Sequence, residues 1–145
     1  FELSGGQQQR VAFASILALS PEVYIIDEPT SQLDPQETER IFDIIHQLKS
    51  AGKTIILIEH KIELIAEYAD EVIVMENGKL IQSGPKHEVL SDISLRDRDI
   101  SLPETTVLAD ALRKASYDIP GNPLTKQEMK AAIRQYVGGE THESN

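Results

Sequence analysis

Apolar residues along this chain fall into short unbroken runs, separated by stretches in which they recur with a helical period. Val23-Tyr24-Ile25-Ile26 and Thr54–Ile58 are apolar almost without alternation, the pattern of strands in a sheet covered on both faces. Between them Ile41, Ile44, Ile45 and Leu48 repeat at i, i+3, i+4 and i+7, one stripe of an amphipathic helix. Asp34-Pro35-Gln36-Glu37 opens that helix, with Asp as N-cap, Pro at the first position and Glu three residues after the cap. Ala51-Gly52 ends it. Upstream, Ser4 is placed to cap a helix over about 5–19, which Ser20-Pro21 stops. Downstream the pattern predicts a short helix over 61–68 and a strand over 71–75. Asn77-Gly78 then predicts a tight hairpin returning through 79–82. Two last helices are predicted over 105–115 (stripe Val107, Leu108, Ala111, Leu112) and 126–137 (stripe Met129, Ile133, Tyr136, Val137). Strands alternating with amphipathic helices predict an α/β fold with a parallel sheet.

Composition narrows the function classes. The chain has 145 residues, 40% of them hydrophobic, and no cysteine. That length can bury one core, and disulfides, thiol chemistry and Cys-ligated zinc are excluded. The net charge is −10, which disfavours a nucleic-acid surface, because phosphate binding needs clustered Lys and Arg. Charge is uneven: residues 1–90 carry 7 Lys+Arg against 15 Asp+Glu, residues 91–145 carry 7 against 9. With the strand-like runs confined to the first part, a domain boundary is expected near 91–94. No apolar run approaches the roughly 20 residues that cross a bilayer. A motif beginning at residue 3 suggests that further chain precedes it.

Three segments carry candidate chemistry. The apolar run ends in Asp27-Glu28, which places two carboxylates at the carboxyl edge of a sheet, where open α/β folds bind ligands. Adjacent acids on an extended chain point apart, so one can hold Mg²⁺ while the other orients a water; the bland reading is an acidic loop after a strand. Leu3-Ser4-Gly5-Gly6-Gln7 offers bare N–H groups, a hydroxyl and no obstructing Cβ at a helix N-terminus, an anion site, or simply a capped helix. His60 follows the second strand, where it can donate to a phosphate oxygen or serve a structural role.

Order and spacing join these segments. Leu3-Ser4-Gly5-Gly6-Gln7-Gln8-Gln9-Arg10, then four apolar residues with Asp27-Glu28-Pro29-Thr30, then Ser31-Gln32-Leu33-Asp34, and then a strand ending near His60, resembles the ATP-binding-cassette ATPases over residues 1 to about 90. By that resemblance Ser4, Gly5, Gly6 and Gln7 belong to the signature loop. Asp27, the Mg²⁺ ligand, and Glu28, the water-polarising base, end the Walker B strand. Ser31 to Asp34 form the D-loop at the nucleotide interface, and His60 is the switch histidine. The family's phosphate loop, Gly-x-x-Gly-x-Gly-Lys-Ser/Thr, occurs nowhere in these residues. The resemblance therefore implies the carboxyl-terminal half of a nucleotide-binding domain: a P-loop NTPase-type parallel sheet with flanking helices, lacking the phosphate loop, plus a small helical extension over 91–145.

Where many members have Thr and Asp around the histidine, this chain has Glu59 and Lys61. That variant, with Leu102-Pro103, Asp118-Ile119-Pro120 and Pro123-Leu124-Thr125 in the extension, is similar to the ATPases of energy-coupling-factor vitamin and metal importers. The resemblance implies ATP and Mg²⁺ as cofactors, and ATP hydrolysis in the intact protein but not in these 145 residues alone. It implies ATP sandwiched by a second such subunit, a membrane-embedded transporter partner, a peripheral position on the cytoplasmic face of the membrane, and no nucleic-acid partner. The extension is expected to serve dimerisation. The alternatives are a cassette ATPase of translation or DNA repair, and a non-enzymatic module that uses the fold to dimerise.

Overall fold

The computed structural model describes residues 5–31 and 33–140. In chain order they form α1 (Gly5–Leu19), β1 (Val23–Asp27), α2 (Pro35–Ser50), β2 (Thr54–Ile58), α3 (Ile62–Tyr68), β3 (Glu71–Glu76), β4 (Lys79–Pro85), α4 (Lys86–Val89), a 3₁₀ helix (Ile93–Arg98), α5 (Glu104–Lys114) and α6 (Lys126–Glu140). Every predicted helix and strand is present, and the two short helices over 86–98 are additional. They are too brief to leave a periodic signature. Packing divides the chain into two compact units, residues 1–60 and 61–145.

In the first unit β1 and β2 pair in parallel, Val23 opposite Thr54 through to Asp27 opposite Ile58, with α2 as the crossover. The Asp34 side chain accepts from the Glu37 amide at 2.8 Å, so α2 begins where the Asp-Pro-x-Glu pattern places it. It ends in a Schellman motif. The Gly52 amide bonds the Lys49 carbonyl at 2.9 Å and the Lys53 amide bonds Leu48 at 3.1 Å, with Gly52 at φ 81°, where a Cβ is disfavoured. The buried face of α2 is Thr38, Ile41, Phe42 and Ile45, which includes the expected Ile41 and Ile45. Arg10 of α1 holds Glu37 of α2 at 2.8 Å.

One expectation fails here. The apolar runs predicted a sheet covered on both faces, yet only Tyr24 and Ile26 of β1 are buried, while Val23, Ile25, Ile56 and Ile58 are exposed. Among the described residues β1 and β2 carry one helix, α2, so within these 145 residues one face of the pair is left uncovered.

The second unit is built on the β3–β4 hairpin, antiparallel with Glu76 opposite Lys79. Asn77 and Gly78 both have positive φ, the requirement of a type I′ two-residue turn. The hairpin's Val72 and Val74 share a core with Ala66, Val89, Leu90, Leu95, Leu102 and Leu124. That shared core is why the units divide after His60 and not near residue 90, where charge placed the expected boundary: β3 and β4 pack with the segments that follow them. A second cluster joins Ala109 of α5 to Ile119 and to Met129 and Ala132 of α6. The expected stripes hold in part. Met129 is buried and Leu112 and Tyr136 pack against this cluster, whereas Leu108, Ile133 and Val137 are exposed and Ala109 and Ala132 fill the contact instead.

Candidate functional site

The site is assembled by the carboxyl ends of β1 and β2. Parallel pairing stops at Asp27 and Ile58, and one further bond, from the Glu28 amide to the Ile58 carbonyl at 2.9 Å, carries the pairing one residue past β1. The chain then turns sharply. Glu28 sits at φ 42°, a backbone region uncommon for a residue with a long side chain, and the Ser31 amide closes the turn onto the Glu28 carbonyl at 3.2 Å. This turn swings the Glu28 carboxylate toward the loop after β2. There His60 Nε2 meets Glu28 Oε1 at 2.8 Å. A carboxylate only accepts, so the imidazole donates through Nε2. Both side chains remain open to solvent, His60 at 81% and Glu28 at 44%, so a ligand can reach the pair.

A second link runs beside the first. Thr30 is 1% exposed and its hydroxyl donates to Glu59 Oε2 at 3.0 Å, while Glu59 Oε1 accepts from the His60 amide at 3.1 Å. Sequence reasoning gave neither Thr30 nor Glu59 a role. A signal was available: Thr30 follows Pro29 in the turn directly after β1, and a hydroxyl buried there needs an acceptor.

The other candidates are placed as follows. Asp27 ends β1 with an exposed side chain. As one hard oxygen donor at a strand end it fits Mg²⁺, which takes one or two carboxylates and completes its shell with water and substrate phosphate. Among the described residues no group of three or more potential ligands forms a self-sufficient metal cage. Asp34 is committed to its N-cap. Gly5, Gly6 and Gln7 form the first turn of α1; Ser4, expected to cap it, lies outside the described residues, as does Gln32 of the D-loop segment. The structure therefore brings Glu28 and His60 together, with Asp27 beside Glu28 in the chain. Among the described residues no helix is long and apolar enough to cross a membrane.

Comparison with known proteins gives a consistent picture. Residues 1–31 match the family model described as ABC transporter. The chain is 43% identical over 141 residues to the energy-coupling factor transporter ATP-binding protein EcfA2 of Latilactobacillus sakei, covering 94% of this chain and 48% of that one. It is 40% identical over 140 residues to the EcfA2 protein of Symbiobacterium thermophilum, covering 96% and 49%. The chain thus spans about half the length of the curated relatives it matches. Among solved structures, an ATP-binding cassette of an ABC transporter in its ADP conformation superimposes with a TM-score of 0.58 at 35% identity, over 69% of this chain and 41% of the other. A dimeric cassette in a post-hydrolysis state bound to ADP and Pi gives 0.54 at 34%, over 57% and 36%.

Proposed function

The chain belongs to the ATP-binding-cassette ATPase family, and we propose that it is part of an ATP-hydrolysing subunit that powers uptake of a vitamin or metal ion across a membrane. The observation that carries this reading is the contact between His60 Nε2 and Glu28 Oε1 at the carboxyl ends of two parallel strands. One carboxylate oxygen engaged by an imidazole leaves the other free to accept from a water, and the histidine fixes the rotamer in which it does so. Residues 1–90 supply this half of a nucleotide-binding domain, and residues 91–145 the extension.

In that role Glu28 polarises the attacking water, and His60 stands between Glu28 and the γ-phosphate to steady both. Asp27 holds Mg²⁺, which offsets the negative charge of the β- and γ-phosphates when bound. Ser4, Gly5, Gly6 and Gln7 approach the γ-phosphate of ATP held by a second subunit, through N–H groups at the start of a helix. Asp34, while capping α2, lies on the loop facing that second subunit. A membrane-embedded partner would couple the cycle to transport, with this subunit peripheral on the cytoplasmic face. The 145 residues bring no lysine-bearing phosphate cradle and are expected to be inactive alone.

The test is Glu28→Gln in the intact protein. Turnover should fall by roughly 10²–10⁴ while ATP affinity, measured by calorimetry, is retained. Wild-type turnover in that variant would defeat the assignment.

A further inference from the structure

Three contacts among the described residues join the loops that carry Glu28 and His60. The backbone joins them between the Glu28 amide and the Ile58 carbonyl at 2.9 Å, and the reacting side chains meet at 2.8 Å. The third point is Glu59, whose two oxygens reach different loops: Oε2 takes the Thr30 hydroxyl at 3.0 Å and Oε1 takes the His60 amide at 3.1 Å. Thr30 is all but inaccessible to solvent, two residues beyond Glu28 and inside the turn closed by Ser31. The Thr30 contact is therefore a sheltered, charge-assisted bond, the stronger kind, made by the residue directly before the histidine. A Thr at position 59 would be too short to span both partners in the same way.

We propose that Glu59 is a positioning residue for the hydrolytic pair: its carboxylate ties the turn after Glu28, through Thr30, to the backbone of His60, and so sets the distance at which imidazole and carboxylate meet. Glu59 touches neither water nor phosphate in this role. The inference rests on the proposed function only for its kinetic consequence. Its geometric content, that removing the tie releases His60 from Glu28, stands apart from hydrolysis.

Two measurements on the intact ATPase test it. Glu59→Ala and the near-isosteric Thr30→Val should each lower kcat by about 10- to 100-fold, the scale of an ångström-sized misplacement, with KM for ATP unchanged. The double variant should be no worse than Glu59→Ala alone, because both changes cut one linkage. Glu59→Gln, which keeps an acceptor oxygen for Thr30, should recover part of the loss. The second measurement is the His60 ring resonance by nitrogen-15 NMR, which is read whether or not the protein hydrolyses ATP. In Glu59→Ala and Thr30→Val it should move to the position seen in Glu28→Ala, where no acceptor faces the imidazole. Should Glu59→Ala fail to fold, Thr30→Val carries both readouts. Wild-type kcat in the tie variants, multiplying losses in the double variant, or an unmoved His60 resonance would each overturn the proposal. An inactive wild type, or a Glu28→Gln variant as fast as wild type, would instead defeat the proposed function and leave the NMR result to decide on Glu59.

Discussion

Asp92 caps the 3₁₀ helix that follows α4, and its oxygen Oδ1 accepts from both the Ser94 hydroxyl at 2.6 Å and the Ser94 amide at 3.0 Å. These bonds, the hydroxyl first and the amide next, with a smaller contribution from Gln82, hold its carboxyl below the usual value against a desolvation that opposes them. A carboxylate whose folded pKa is depressed adds stability that is whole above its unfolded pKa, near 4, and is lost as pH falls through the lower folded value. Asp92→Ala should cost about 0.5 kcal/mol at pH 7, the low end for a cap because solvent screens the site, and progressively less below pH 4. Urea unfolding of both proteins across that range checks it, and an undiminished difference in acid would contradict the assignment. At this scale some roles were legible from sequence and some were not. Asp34 could be assigned as a cap because its signal is local, four residues with one geometry. The Glu28–His60 contact spans two strands, and only the family resemblance brought those residues together before the structure did. Glu59 stood out as a departure, but its partner Thr30 lies 29 positions away, beyond any local pattern.

Among the elements, hairpin and crossover helix were readable because turn chemistry is stereochemical. Asn77-Gly78 demands positive φ twice, and both residues have it. Space is not the constraint at Gly78: a Cβ there would meet nothing within 4 Å. Gly78→Ala should then destabilise the second unit by the backbone cost alone, about 1–2 kcal/mol. The urea m-value should be unchanged, since the surface exposed on unfolding is the same. A neutral substitution would mean that the turn relaxes to another type. Burial was less legible. A run such as Val23-Tyr24-Ile25-Ile26 is compatible with two covered faces, yet Ile25 is 70% exposed; periodicity reports what a strand can bury, and the elements around it decide what it does bury. The stripe of α5 is half right for a related reason: Val107 and Leu112 pack against the cores, but Leu108 does not. Ala109 and Ala132 sit in the α5–α6 cluster, and small residues at a close helix contact carry little weight in a hydrophobic pattern.

For the whole molecule, the role proposed for residues 91–145 is best probed at their surface. Severing the chain after Leu90 would be a poor probe, because Leu95, Leu102 and Leu124 complete the core around Val72, Val74, Val89 and Leu90; the hairpin would lose its support along with the helices. Surface substitutions ask the question cleanly. The α5–α6 cluster consumes Ala109, Met129 and Ala132, while Leu108, Ile133 and Val137 stay 46%, 39% and 55% exposed. On the proposed reading that residues 91–145 serve dimerisation, these exposed apolar side chains are the ones a second subunit would cover. None of the proposed catalytic positions lies beyond His60, so such a contact would govern association without entering the chemistry. On the proposed dimerisation role, Leu108→Glu and Ile133→Glu in the intact protein should leave the unfolding midpoint close to wild type and weaken nucleotide-free pairing by about tenfold each, the loss of one modest hot spot. Turnover at saturating ATP and at protein concentrations that enforce pairing should be unchanged. Equal dissociation constants for variants and wild type in sedimentation equilibrium would show that these helices only cover their own unit.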